Sequence, residues 1–473
     1  MKFSGVMETM EATSAVPSNI WKETSVTVFG MGRSGQAAAD LLLDRGAKVT
    51  LIEEHSRPEL EVLRNRYEQR GARICIGGNL ASALSQAELL VVSPGVSKDH
   101  DVLQLARQKN IPVIGEIELA SRFLQAPIIA VTGTNGKSTT VRLIGSILQG
   151  SGKHAFVGGN LGLPLCEAVT RFTEPSLAID YDYIVAEVSS FQLETIQQFK
   201  PWISVLLNVT PDHLDRHPTQ EDYQAAKRRI FENQTDQDWM VLNADDPVVR
   251  TMALDAQARL FEFSLCREVT QGMYLAGDII RGRLAGQAEI VFERDDIPMR
   301  GQHNVANAMA AMSVGLLCGC SKEEMVKALQ NVPTFEHALE FIRTWQGVTF
   351  INDSKGTNVD ATLKALQSFD ESVVLILGGK DKGGDFTLLL EAIHRGVKGI
   401  VVIGEAAPRI LDALQGSVPI CGATNLEDAV TQACSLATSG DVVLFSPACS
   451  SFDMFQNYHH RGLEFKRLVQ ELQ

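Results

Sequence analysis

The sequence is short of positive charge, of paired cysteines and of long apolar runs, and each shortage closes off a class of function. Lys and Arg number 43 against 57 Asp and Glu, a formal net charge of −14. A surplus of negative charge disfavours nucleic acid or an anionic membrane surface as the main partner. Any polyanionic ligand must therefore meet a local cluster of positive groups. The eight cysteines (Cys75, Cys166, Cys266, Cys318, Cys320, Cys421, Cys434, Cys449) form no Cys-x-x-Cys pair, and Cys318-Gly-Cys320 has no second half. This argues against a zinc site or a disulfide framework and for buried, reduced thiols. The longest uncharged run, about Gly301 to Ser321, holds Asn304 and Asn307 among many small residues and reads as a buried helix, not a membrane span. Residues 1–24 lack a basic–apolar–small signal pattern; they are expected to be a loose extension, and the protein cytoplasmic. No sequence repeat is evident.

What is present is a long, foldable chain. With 473 residues, 45% of them hydrophobic, it exceeds what one core can serve, and several domains are expected. Its centre is the stretch Ile128 to Thr140: an apolar β-branched run, then Gly133-Thr134-Asn135-Gly136-Lys137-Ser138-Thr139, then a helical pattern to Leu148. This reads as strand, phosphate loop and helix. Glycines let backbone N–H groups turn inward around a phosphate, and the lysine adds a point charge. Ser138 or Thr139 can ligate Mg²⁺, and the helix N-terminus favours an anion. Val131 stands where the standard pattern has its first glycine, so the loop is a shorter variant, Gly-x-x-Gly-Lys-Ser-Thr.

A second glycine motif precedes it. The strand Ser25 to Phe29 runs into Gly30-Met31-Gly32-Arg33-Ser34-Gly35, a helix follows over Ala37 to Leu43, and a second strand ends at Glu53-Glu54. Taken alone, this βαβ fingerprint suggests NAD. More narrowly, it allows a pyrophosphate-like group at the helix end, with Glu53 or Glu54 near a ribose or base. The strand Glu88 to Val92 ends in Ser93-Pro94-Gly95, at the carboxyl edge where open α/β sheets bind ligands. This domain is expected over residues 25–126.

The central domain is expected over 127–333. It contains the polar loop Gly158 to Gly162 and the strand Tyr183 to Val188, interrupted by Glu187. A carboxylate there suits Mg²⁺. A strand Val205 to Val209 delivers the polar cluster Asn208 to His217, in which His213 can bind metal or orient a carboxylate. A helix Glu221 to Phe231 carries Lys227, Arg228 and Arg229. The third domain, 334–473, again alternates strand and helix. Its loops Asn352 to Asn358, Gly378 to Gly384 and Ser446 to Phe452 follow strand ends, and two of them carry lysines suited to carboxylate or phosphate capture. The fold class is α/β in three domains: Rossmann-like, then phosphate-loop NTPase-like with a mostly parallel sheet, then Rossmann-like again.

These motifs resemble the ATP-dependent Mur ligases of peptidoglycan synthesis. Those that carry the resemblance are Thr132 to Thr139, Gly159 to Gly162, Glu187 to Leu193, Asn208 to Arg216, Asn352 to Asn358 and Ser446 to Asp453. The phosphate loop alone also fits folylpolyglutamate synthases and sister Mur ligases. Ser-Ser-Phe-Gln-Leu and Ser-Pro-Ala-Cys-Ser-Ser-Phe-Asp point to the D-glutamate-adding branch.

The resemblance implies that the first domain takes a UDP substrate, not NAD. Gly32, Arg33, Ser34, Glu53, Ser93, Pro94 and Gly95 would line that site, and Asn160 would contact the muramoyl part. It implies ATP on Gly133 to Thr139, with Lys137 on the β/γ-phosphates and Asn307 and Asp353 on the nucleotide. Two Mg²⁺ ions are implied, one on Ser138 and Glu187 and one on His213, with Lys227 a carbamylated metal ligand. Lys355, Thr357, Lys382, Ser451 and Tyr458 would hold D-glutamate. The implied substrates are UDP-N-acetylmuramoyl-L-alanine and D-glutamate, with no nucleic acid or membrane partner and a monomeric protein. The chain departs from the family pattern in two places. Ala338 follows His337 where the family has arginine, with Arg343 a candidate substitute, and Gly356 stands where alanine is common.

Overall fold

The computed structural model describes residues 21–77, 80–173, 180–213, 216–332 and 336–472. Residues 1–20 of the expected extension, Leu214 and Asp215 of the polar cluster, and the expected 333/334 boundary lie outside the described residues. The chain forms two compact units. One has the bounds Met1–Val209, Glu221–Asp296 and Asn307–Gln330; the other has Thr210–Gln220, Ile297–Ala306 and Asn331–Gln473.

The first unit holds two sheets. The smaller is wholly parallel, in the order Arg73–Ile76, Lys48–Glu53, Ser25–Phe29, Leu89–Val92, Val113–Gly115. Its strand order reverses between Ser25–Phe29 and Leu89–Val92, which opens a ligand crevice at their carboxyl ends. The larger sheet has nine strands, with Ile128–Thr132 between Ile203–Leu206 and Tyr183–Glu187. All five residues of Ile128–Thr132 are buried, which fits the apolar run Ile128 to Val131 of a strand covered on both faces. Full burial of each Ile or Val contributes about 1.5–3 kcal/mol. Pairing turns antiparallel only at Gly272–Ala276, Ile279–Arg283 and Ile290–Glu293. Gly158 and Gly159, expected in a loop, close the strand Ala155–Gly159, so the loop proper begins at Asn160. The helix expected over 221–231 is α-helical only over Gln220–Arg228 and tightens to a 3-10 turn at Arg229–Phe231.

Two buried carboxylates tie these sheets together. Glu118 accepts the backbone N–H groups of Gln197, Gln198 and Phe199 at 2.8–3.0 Å, and Arg122 Nε at 3.0 Å. Glu116 follows the strand Val113–Gly115 and accepts Cys166 N–H at 2.6 Å, in the first turn of the helix Leu165–Thr173. Its other oxygen is buried without a hydrogen-bond partner.

The second unit is built on six strands in the order Glu340–Trp345, Val348–Asn352, Val442–Phe445, Val373–Gly378, Val397–Ile403, Ile420–Gly422. Only the first pairs antiparallel, an edge hairpin the sequence pattern did not suggest. The helices Val359–Leu366, Leu426–Leu436 and Tyr458–Gln470 each open on an asparagine whose side-chain oxygen accepts a first-turn N–H. Among the described residues no helix is long and apolar enough to cross a membrane.

Candidate active site

In the first unit the phosphate loop leaves Ile128–Thr132 and enters the helix Lys137–Gly150. Gly136 caps that helix at φ +89°, and a Cβ there would fall 2.2 Å from Asn307 Oδ1. Asn307 therefore lies against the loop. Lys137 Nζ donates to the carbonyls of Gly133 and Thr134 at 2.9 and 2.8 Å, and Lys227 Nζ donates to the same Gly133 oxygen at 2.8 Å. Lys227 is fully buried with its ammonium 4.5 Å from the Tyr223 ring centre, and the Tyr223 hydroxyl reaches Thr134 Oγ1 at 3.2 Å. Asn208 grips Asn135 from both sides, accepting its N–H at 2.8 Å and donating to its carbonyl at 3.0 Å. Its own carbonyl accepts Thr134 N–H.

Ser138 Oγ donates to Glu187 Oε2 at 2.6 Å, and Asn160 Nδ2 donates to Glu187 Oε1 at 2.9 Å. A hydroxyl and a carboxylate converging at the loop's mouth are hard oxygen donors, the chemistry that suits Mg²⁺. Thr139 is buried beside Ser138.

At the smaller sheet's crevice, Gly32 caps the helix Arg33–Asp44, and Ser34 lies in its first turn. Glu53 accepts Met31 N–H at 3.1 Å and pairs with Arg57 at 3.3 Å, so its carboxylate also braces the glycine turn. Ser93, Pro94 and Gly95 leave the neighbouring strand end, with Ser93 Oγ 3.5 Å from the Gly30 carbonyl. Glu54 bonds His100 at 3.0 Å, a partner sequence reasoning missed.

In the second unit, His213 stands at φ +56° next to Asp212, whose Oδ1 accepts His213 N–H at 2.9 Å. Asp212 also accepts Asn358 Nδ2 at 3.0 Å and faces Lys382 Nζ at 3.4 Å. The three loops expected to hold an amino acid leave adjacent strands, Val348–Asn352, Val442–Phe445 and Val373–Gly378. Lys355 and Thr357 lie on the first, Ser451 on the second and Lys382 on the third. Ser450 and Lys380 exchange backbone hydrogen bonds at 2.9 Å, and Ser354 Oγ donates to the Tyr458 carbonyl at 2.8 Å. Buried Arg461 bonds both the Ser354 and Cys449 carbonyls. Asp353 accepts Leu339 N–H and Ser446 Oγ, and burial pushes its carboxyl up to about 7. The residues expected on the nucleotide and metal thus divide: His213 and Asp353 belong to the second unit, the others to the first.

The Ala338 turn is also resolved. His337 is buried at φ +62° and accepts Asn352 Nδ2 at Nδ1 (2.9 Å), so its Nε2 carries the proton shared with His459 Nδ1 at 3.0 Å. Burial lowers the His337 pKa. Arg343, the candidate substitute for the missing arginine, donates instead to the carbonyls of Gln470 and Val469 and closes the last helix.

Sequence reasoning singled out the stretches that hold Asn208, Asp212 and Asn358 without giving these residues a role, and it passed over Tyr223. For Tyr223 a signal was available: it stands four residues before Lys227, on the same helical face.

Against known proteins, residues 24–115 match the Mur ligase MurD-like N-terminal domain, 131–315 the Mur ligase middle domain, and 339–449 the Mur ligase glutamate ligase domain. The chain belongs to the Mur ligase family. Within it, the chain is 44% identical over 447 residues to the UDP-N-acetylmuramoylalanine--D-glutamate ligase of Koribacter versatilis (strain Ellin345), covering 94% of this chain and 97% of that one. It is 45% identical over 448 residues to the enzyme of the same name from Syntrophotalea carbinolica, covering 95% and 98%. Among solved structures, a pseudomurein peptide ligase type C from Methanothermus fervidus matches the fold at TM-score 0.60 and 16% identity, covering 95% of this chain and 100% of that one. A MurF ligase from Thermotoga maritima in complex with ADP matches at TM-score 0.57 and 18% identity, covering 96% and 97%.

Proposed function

We propose that the chain joins D-glutamate to UDP-N-acetylmuramoyl-L-alanine through an amide bond, at the expense of ATP, in peptidoglycan precursor synthesis. The similarity to D-glutamate ligases over nearly the whole of both chains carries this reading. A carboxylate resists nucleophiles because its charge repels them and oxide leaves poorly. Transfer of the ATP γ-phosphoryl group to the L-alanine carboxylate gives an acyl phosphate and ADP. The amine of D-glutamate then attacks the acyl carbon, the C–O bond to phosphate breaks, the amine loses its proton, and phosphate leaves.

Lys137 moves from the loop carbonyls onto the β/γ-phosphates, and the N–H groups from Gly133 to Thr139 line the rest of that anion. Ser138 and Glu187 would hold one Mg²⁺ and His213 a second; such cations would supply positive charge against the phosphate and carboxylate anions. Lys227, as a carbamate, would be an anion at the loop; as an ammonium it donates to Gly133. Asn160 orients Glu187 and faces the muramoyl substrate. Asn307 and Asp353 take the nucleotide. Gly32, Arg33, Ser34, Glu53, Ser93, Pro94 and Gly95 take the UDP end. Lys355, Thr357, Lys382, Ser451 and Tyr458 take D-glutamate. We read the chain as a monomer of the cytoplasm, where ATP and UDP-linked substrates are at hand.

Phosphate release from ATP, measured with Mg²⁺ and both substrates and then with each omitted, tests the assignment. Release that requires every component, with a UDP-muramoyl dipeptide as product, supports it. ATP binding without release under the complete mixture rejects it.

A further inference from the structure

His337 and His459 are 122 residues apart in the chain, yet His337 Nε2 and His459 Nδ1 meet at 3.0 Å. Glu336 stands beside them. Its carboxylate and the two rings each offer one ligand atom, and these atoms all lie within 4.8 Å of one another. His337 is buried, whereas His459 and Glu336 are exposed, so the cluster opens to solvent on one side. The buried residue is held firmly. Its N–H donates to Glu340 Oε2 at 3.0 Å, and its carbonyl accepts Lys355 N–H at 2.9 Å. Its ring lies on the helix Tyr458–Gln470 at Gly462, where a Cβ would fall 2.3 Å from Nδ1. Its backbone is left-handed, at φ +62°, a strained conformation of the kind that concentrates at binding sites.

We propose that Glu336, His337 and His459 form a binding site for a transition cation of the Zn²⁺ class. Two imidazoles and a carboxylate suit Zn²⁺, with water in the fourth place, and do not suit Mg²⁺, which prefers oxygen ligands alone. None of the three residues is among those assigned to ATP, Mg²⁺ or the substrates, and no cysteine takes part. His459 Nδ1 already accepts a proton from its neighbour, so it is ready to ligate. His337 Nε2 must be bare to bind metal, and the ring achieves this by carrying its proton on Nδ1 instead. Glu340 Oε2 lies 3.5 Å from that atom, the carboxylate partner that fixes the tautomer of a metal-bound imidazole. Asn352 Nδ2 then keeps its two protons for Glu340 Oε2 at 3.3 Å and the Gly462 carbonyl at 3.1 Å. Metal–nitrogen bonds of about 2.0–2.1 Å at a tetrahedral angle set two nitrogens about 3.3 Å apart. The rings need only part slightly, and the exposed Glu336 side chain swings in to complete the site. A bound ion would cross-link the turn before Glu340–Trp345 to the start of the last helix.

The test is metal binding to the full chain, without nucleotide, in a phosphine reductant and excess Mg²⁺. Zn²⁺ affinity is read by competition with a chromogenic chelator, and Co²⁺ reports the ligand geometry through its visible bands. The wild type should bind a Zn²⁺ ion that Mg²⁺ does not displace, and Co²⁺ should give the bands of a tetrahedral site without a sulfur-to-metal band. His459→Ala should weaken that Zn²⁺ by at least about a hundredfold, because losing a hydrogen-bonding partner behind a ligand already costs about 10–100-fold. It should also abolish the Co²⁺ bands. Glu336→Gln should weaken Zn²⁺ by a smaller factor, and it carries the comparison if His459→Ala does not fold. A wild type that binds no Zn²⁺ in the presence of Mg²⁺, Co²⁺ bands that show thiolate ligands, or an affinity that neither substitution changes would overturn the proposal. The histidine pair would then be only a hydrogen bond that docks the last helix.

Discussion

Glu116→Gln should make the protein more stable, and increasingly so as pH rises. Burial pushes the Glu116 carboxyl from 4.5 up to about 7, against the opposing help of Cys166 N–H. Below pH 4.5 the carboxyl is protonated in both folded and unfolded chains, so it costs the fold nothing. Between 4.5 and 7 the unfolded chain ionises while the folded chain holds its proton, and stability falls with rising pH. Above 7 both forms are ionised and the loss levels off. A shift of that size corresponds to about 3 kcal/mol. Glutamine keeps an oxygen for Cys166 N–H and replaces an oxygen that has no partner with an uncharged amide. Urea unfolding of both proteins at pH 5 and pH 8 measures the effect. The two should differ little at pH 5, and the variant should be more stable by about 2–3 kcal/mol at pH 8. A difference that does not change with pH would refute the reasoning.

Lys137→Ala and Glu187→Ala should each lower kcat on the order of a thousandfold without changing the circular dichroism spectrum; a variant that keeps a tenth of the wild-type rate contradicts its role. Lys227→Ala should lose activity and regain part of it in acetate or another small acid, and full activity without an additive would dismiss the carbamate. Arg343→Ala should cost about 1–2 kcal/mol in urea unfolding through the exposed helix end, and leave the KM for ATP unchanged; a raised KM would mean that Arg343 does replace the missing family arginine.

Much of the first unit could be read directly from residue pattern. Ile128–Thr132 is legible because a strand buried on both faces shows an unbroken apolar run, and the loop after it because glycine, lysine and hydroxyls occur in order. Ser138 and Glu187 were each legible as Mg²⁺ candidates, but their pairing was implied only by the family resemblance, because the adjacency of their strands is a property of the sheet. Other features depend on the tertiary fold. Glu340–Trp345 is an edge strand whose exposed Phe341 breaks the alternation that would announce it. Glu118 looks like any surface acid on a helix, and only the fold brings three N–H groups of a distant loop to it. Asp212 and Lys382 lie 170 residues apart, beyond any local pattern. Arg343 seemed available as a cation until the C-terminal helix end proved to occupy it.

The grip of Asn208 on Asn135 has a consequence for how nucleotide is met. Three hydrogen bonds between the two strand ends hold the phosphate loop in shape through contacts the ligand does not provide. The loop is preorganised, so phosphate does not have to immobilise it, and the contact energy appears as affinity instead of being offset by lost conformational freedom. A fixed loop is also a poor messenger. The two lysines that rest on the Gly133 carbonyl are cations already at hand beside that fixed loop.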